Sequence, residues 1–252
     1  MRLFSLIAIL LLIVGFFSYS YSDNHITLDK AQFELAFNLY CEGRIDDSTL
    51  EFRNLIKEHP VSLYLPEASY WLGMCFYAKK DYKEALRTFI SAMRQWPFSY
   101  SYKLSLYYLA KSFYELDRRK EAKIRFKEFL EKYPWHELAD NSLFWLGVLE
   151  WKDGKNENAL KIFDEVLQRY PNGNKAEAAR YMKLLIKGSP KVSTGPSSEE
   201  LEKIRNLENW EDLLASKEEA LKAKENILSV KEDALKEKQR QLNEASKKVV
   251  NQ

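Results

Sequence analysis

The sequence predicts an all-α fold, a solenoid of stacked helix-turn-helix units followed by one long C-terminal helix. Three observations carry this reading. Pro60, Pro97, Pro134 and Pro171 stand 37 residues apart, and other residue types recur ahead of them at the same interval. From Glu199 onward the chain has neither Gly nor Pro, and Leu returns at every seventh position. Self-similarity at a fixed period of this size is the signature of a repeat architecture, in which each unit buries its apolar face only against its neighbours.

The recurring residues describe a helix pair. Leu35, Leu72, Leu109 and Leu146 are each followed by a small residue, Ala36, Gly73, Ala110 or Gly147. A second small residue recurs at Ser48, Ala85, Ala122 and Ala159, and an aromatic at Phe52, Phe89, Phe126 and Phe163. The Leu-small pair suits a first helix that approaches its partner closely, the later small residue suits the second helix at the same contact, and Phe fills the space between them. Proline, which cannot continue a helix, closes each unit.

With these residues in place the chain resembles the tetratricopeptide repeat family, whose 34-residue pattern runs Leu-Gly, aromatic, Ala, Phe, Ala and Pro. The second unit matches throughout, at Leu72, Gly73, Phe76, Ala85, Phe89, Ala92 and Pro97. Its neighbours depart at the aromatic position, with Leu39 and Glu150, and at the second Ala, with Leu55, Phe129 and Val166. The three residues by which 37 exceeds 34 fall after the proline, so they lengthen the loop between units or the start of the next helix. The resemblance runs from about Leu28 to Ile186, and a helix at about Asn174 to Lys187, with Ala176, Ala179, Leu184 and Leu185 apolar, is expected to cap the stack.

The resemblance also implies where a partner is held. In this family the first helices line the concave face, and carried over by position that face comprises Phe33, Phe37 and Tyr40, then Tyr70, Met74 and Tyr77, then Leu104, Tyr107, Lys111 and Tyr114, then Phe144, Val148 and Trp151. Two readings stay open for these side chains. They form an aromatic groove for an apolar helix or extended segment of a protein partner, or they pack between neighbouring units. Only Lys111, Asn141 and Lys152 could grip a peptide carboxylate there, so a carboxylate clamp is not expected. Trp96, Phe98, Tyr100 and Tyr102 crowd the loop around Pro97, and packing under the next helix is the expectation favoured over a second contact patch.

The flanks read differently. Residues 1–22 have the form of an export signal: Arg2, an apolar run from Leu3 to Phe17, and the small-x-small sequence Ser20-Tyr21-Ser22. Left uncleaved, the run just reaches the length of a membrane anchor. Residues 23–187 hold the solenoid, and 188–198 turn to Gly, Ser, Pro and Thr, a flexible linker. Residues 199–252 form the long charged helix, with Leu207, Leu214, Leu221, Leu228, Leu235 and Leu242 in strict heptad register, which argues for self-association as a coiled coil. Yet Lys217, Lys224, Lys231 and Lys238 stand where apolar companions belong, so docking on another protein, or on the solenoid's own groove, is the competing reading.

Composition excludes several function classes. With 39 basic and 37 acidic residues the net charge is +2, which offers no field to draw nucleic acid. Cys41 and Cys75 are too few for a disulfide framework; a single bridge between adjacent repeats and two buried thiols are both open. His25, His59 and His136 are far apart, and no phosphate loop, nucleophile elbow or zinc-ligand spacing occurs. No enzyme activity, cofactor or metal is therefore expected. Units ending Tyr133-Pro134 and Tyr170-Pro171 resemble those of envelope proteins in double-membraned bacteria, namely the periplasmic repeat protein associated with Tol-Pal and the repeat lipoprotein of outer-membrane β-barrel assembly. The first of these carries its coiled coil ahead of the repeats and the second carries a lipidated Cys, and neither feature is matched here. The resemblance implies a non-catalytic periplasmic scaffold or adaptor, with a structural subunit of a larger envelope assembly as the alternative.

Overall fold

A computed structural model describes residues 28–188 and Arg240. The export signal, the linker and the heptad helix lie outside the described residues. Residues 28–188 form nine helices and no strand: α1 (28–41), α2 (Ile45–Glu58), α3 (Leu65–Ala78), α4 (Tyr82–Gln95), α5 (Ser101–Glu115), α6 (Arg119–Lys132), α7 (Ala139–Lys152), α8 (Asn156–Arg169) and α9 (Ala176–Gly188). Four pairs, α1/α2 to α7/α8, repeat every 37 residues and α9 follows the last. From α2 on, each helix packs against the next, and α3 also packs against α5.

The turn inside each pair is the same in every copy. One residue takes the left-handed conformation, at Gly43 (φ 78°), Lys80 (φ 59°), Asp117 (φ 53°) and Gly154 (φ 73°). The amide of the following residue then reaches back to a carbonyl in the last turn of the first helix: Arg44 to Leu39, Asp81 to Phe76, Arg118 to Phe113 and Lys155 to Glu150, each at 2.9 Å. This closure satisfies carbonyls that the helix end leaves unpaired. Lys80 bears a left-handed backbone that glycine adopts without a Cβ penalty. Lys80→Gly is therefore expected to raise stability by about 0.5–1 kcal/mol, read as a higher urea midpoint at unchanged slope.

The second helix of each pair ends two residues before the proline. His59, Trp96, Tyr133 and Tyr170 are the C-caps, with ψ of 53–67° outside the helical region that a following proline disfavours, and their amides still bond to Leu55, Ala92, Phe129 and Val166. A tight turn over the proline follows, in which the amides of Ser62, Ser99, His136 and Gly173 donate to those same C-cap carbonyls. The extra residues of the 37-residue unit thus form the loop between pairs.

The core is the repeat pattern made solid. Phe52, Phe89, Phe126 and Phe163 are fully buried, as are Ser48, Ala85, Ala122 and Ala159. A Cβ on Gly73 would enter the Phe89 ring, and one on Gly147 would stand 2.7 Å from Phe163, whereas Ala36 and Ala110 fill the same place in the other two pairs. Cys75 is a buried free thiol with Sγ 3.3 Å from Ser48 Oγ, so the bridged alternative is not realised. Two expectations are corrected. In α9 the inward stripe is Ala176, Ala179, Met182 and Ile186, and Leu184 is exposed, because the helix turns by 100° per residue and Leu184 falls opposite Met182. Around Pro97, Phe98 and Tyr100 do not pack under α5: they are 100% and 63% exposed, and only Trp96 and Tyr102 are half-buried.

Candidate functional site: the row of first helices

The inner-face residues expected from position do come together, but as a packed seam. Phe33, Phe37, Tyr40, Tyr70, Met74, Leu104, Tyr107, Lys111, Tyr114, Phe144, Val148 and Trp151 are all buried, and Tyr77 is half-buried. The reason is a position that the motif left out. Trp71, Tyr108 and Trp145, immediately ahead of the Leu-small pair, recur at the same 37-residue interval, and each is a wedge driven toward the preceding unit. Trp71 packs on Phe37 (4.8 Å between ring centroids) and Tyr40 (5.1 Å). Tyr108 packs on Tyr70 (6.1 Å) and Tyr77 (5.5 Å). Trp145 packs on Tyr114 (4.8 Å) and donates its Nε1–H to Tyr107 Oη at 3.2 Å. The same periodicity that revealed the repeat was the signal by which these wedges could have been found.

At the C-terminal end of this seam the rings collect cations. Lys111 is fully buried, its Nζ 3.3 Å from the centroid of Trp145 and 3.9 Å from Glu115 Oε1. Lys152 lies 4.0 Å over Tyr114 and donates to its hydroxyl. Lys175, which the motif did not indicate, approaches Phe144 (5.4 Å) and Trp145 (5.7 Å). Ammonium groups over aromatic faces are held by the ring quadrupole, most strongly where water is excluded. Asn141 is occupied elsewhere: its amide and backbone N–H both donate to Asp140 Oδ1, while Lys175 N–H reaches Asp140 Oδ2 at 3.1 Å. The Asp140 carboxylate lies where a Cβ on residue 173 would be, which explains the glycine there.

Glu150, which breaks the family's aromatic position, has a compensating partner. Lys123 Nζ contacts Glu150 Oε1 at 2.5 Å and Asp153 Oδ2 at 2.7 Å, and Arg119 also reaches Asp153 at 3.2 Å. One unit earlier the same two positions are the apolar Leu86 and Phe113, so a charged pair stands here where that unit has two apolar residues. Burial alone would raise the Asp153 carboxyl, but hydrogen bonds from Lys123 and Arg119 outweigh it and hold the group below its ordinary range. Among the described residues no group of three or more His, Cys, Asp or Glu side chains is placed to hold a metal ion, and no helix is long and apolar enough to cross a membrane.

Helix pairs with this turn, this small-residue contact and this seam of first helices are those of one solenoid class, and comparison with solved structures agrees. A tetratricopeptide repeat protein from Parabacteroides merdae superimposes with a TM-score of 0.53 at 17% identity, covering 64% of this chain and 60% of that one. The chain has the tetratricopeptide-repeat fold. Its solenoid matches Pseudomonas aeruginosa pilF with a TM-score of 0.53 at 17% identity, over 65% of this chain and 71% of that one. It matches MamA of Desulfovibrio magneticus with a TM-score of 0.53 at 16% identity, over 73% and 97%. Within the tetratricopeptide region, residues 66–158 match the model of a family described as YfiO, outer membrane lipoprotein. A stretch of 38 residues is 50% identical to the cell division coordinator CpoB of Escherichia coli. That stretch is 15% of this chain and 14% of CpoB, so the match spans about one seventh of that relative's length.

Proposed function

We propose that this protein is a non-enzymatic protein-protein interaction scaffold of the bacterial cell envelope, exported by its apolar N-terminal segment, that recognises a protein partner on the row formed by α1, α3, α5 and α7. The observation that carries the reading is the continuous ladder of rings on these first helices, joined near its end by Lys111, Lys152 and Lys175. Tyr and Trp rings are among the residue types that anchor protein interfaces. The family described as outer membrane lipoprotein and the cell division coordinator support placing that partner in the envelope. The heptad segment 199–252 supplies a second module, for self-association or for another partner, and tethering two modules raises the effective concentration of one partner near the other.

Because most of the ladder is buried, a partner meets first the side chains at its margin, Tyr77 and Lys152, both half-buried. The test is capture of envelope proteins by the full chain and by a Tyr77→Ala/Lys152→Ala variant, with thermal unfolding measured alongside. The variant is expected to stay folded and to lose the captured partner. Undiminished capture by the folded variant would remove the inner row from the proposal.

A further inference from the structure

Asn172-Gly173 is the one place in the chain where Gly follows Asn, and every other Asn precedes a residue with a side chain. The pair closes the last of the four proline turns, Tyr170–Gly173, in which the Gly173 amide donates to the Tyr170 carbonyl at 3.0 Å. Asn172 is exposed. The turn does not require it, since Val61, Phe98 and Trp135 hold the same position in the other units. Gly173, by contrast, is required, because a Cβ there would stand 2.4 Å from Asp140 Oδ2. The fold thus keeps a residue with no side chain directly after an exposed carboxamide.

We propose that Asn172 is a modification site, converted by spontaneous deamidation to aspartate and isoaspartate, and that the conversion loosens α9. The reading is independent of the inner-row proposal. The Gly173 nitrogen gives up its proton and bonds to Asn172 Cγ, the Cγ–Nδ2 bond breaks, and the side-chain amide group takes that proton and leaves as ammonia. A cyclic imide remains, and water opens it. Cleavage at Cγ leaves aspartate on the original main chain, whereas cleavage at the former peptide carbon carries the chain through Cγ as isoaspartate. A side chain on the second residue would crowd the attacking nitrogen, and glycine has none. Attack needs the Tyr170–Gly173 hydrogen bond to open, which in a surface turn costs little.

The chain holds a related pair, Asp153-Gly154, and the structure distinguishes the two. Lys123 and Arg119 bind the Asp153 carboxylate at 2.7 and 3.2 Å and keep it ionised, and an ionised carboxylate is a poor electrophile. Asn172 is a neutral amide at the surface. What its conversion would disturb follows from the residues that the turn positions. The Lys175 amide donates to Asp140 Oδ2 at 3.1 Å, and Ala176 then opens α9, which buries Ala176, Ala179, Met182 and Ile186. Isoaspartate lengthens the main chain inside the turn by one methylene. Either product also places a new negative charge one residue from Gly173, against which the Asp140 carboxylate lies, and like charges at close range repel. Both effects draw Lys175 away from Asp140 and so act on the first turn of α9.

The test is incubation of the folded full chain at mildly alkaline pH over weeks, with peptides mapped by mass spectrometry and isoaspartate measured by an isoaspartate-specific methyltransferase. The peptide that holds Asn172 is expected to gain the mass of an amide turned into an acid before any other Asn peptide does, with isoaspartate as the larger product. Hydrogen exchange of the α9 amides is expected to quicken in proportion to the converted fraction, while α3 and α4 keep their rates. Asn172→Gln, altered only at an exposed position, retains the carboxamide but must close a larger ring. It is expected to lose the early conversion and to keep α9 protected through the same incubation. Retention of the Asn172 amide throughout would overturn the site assignment, whatever happens at other Asn residues. Conversion of Asn172 with α9 exchange at its starting rate would overturn the link to the cap, and equal quickening of α9 in Asn172→Gln would do the same.

Discussion

Phe126→Ala is expected to destabilise the solenoid by about 3–5 kcal/mol, the range for emptying a fully buried aromatic site. Phe126 has no exposed surface, and its ring meets Tyr107 at 5.9 Å, beside Phe129 at the same distance from Tyr107. Across from it stands Ala110, whose methyl group cannot grow to fill the space. The site also resists collapse, because Ala122 is fully buried and the backbones of α5 and α6 are already close. In urea the loss reads as a lower midpoint with little change in slope. A loss below about 1 kcal/mol would mean that α5 and α6 close over the gap, contrary to the rigidity expected of a close-packed interior.

Trp145→Ala is expected to cost as much and to change the shape of the transition as well. Trp145 is fully buried, but its contacts differ in kind from those of Phe126, since its Tyr107, Tyr114 and Lys111 partners all belong to the preceding unit. Truncation leaves the Tyr107 hydroxyl without that donor and withdraws the ring face beneath a buried ammonium group. A solenoid's stability is a sum of unit terms and nearest-neighbour interface terms. Phe126→Ala lowers a unit term, and the chain should still unfold in one step. Trp145→Ala lowers an interface term, so α7–α9 should uncouple from α1–α6, and the urea transition should broaden or split. Hydrogen exchange would then show faster exchange of α8 and α9 amides than of α3 and α4. A single sharp transition at a lower midpoint would show instead that cooperativity does not depend on this seam.

How far the site could be read from sequence follows from the same division. Every residue that the positional rule for first helices names lies on α1, α3, α5 or α7. It did not foresee the wedges Trp71, Tyr108 and Trp145, whose rings bury that row against the next unit, although their spacing was visible. Lys175 could not have been found by the rule, because it belongs to the loop before α9 and joins Trp145 only through the stacking of α9 on the last pair. For Phe98 and Tyr100 the sequence favours packing, because aromatic side chains generally bury their rings. The proline turn instead holds Phe98 at a corner where none of the described residues covers it.

The sequence by itself determined the repeat, the helix ends and the core line of Phe52, Phe89, Phe126 and Phe163. These depend on short-range rules: proline stops a helix, a left-handed residue turns it, and a small residue opposite Phe permits close approach. Only the tertiary structure decided which aromatics are buried and which are exposed. A first helix faces its own partner, the preceding unit and the following unit at once, and one-dimensional periodicity does not say which of those surfaces is already filled. The Lys123–Glu150 pair belongs to this second kind of information. Read alone, Glu150 is a broken motif, and it becomes a satisfied contact only when α6 and α7 are set side by side.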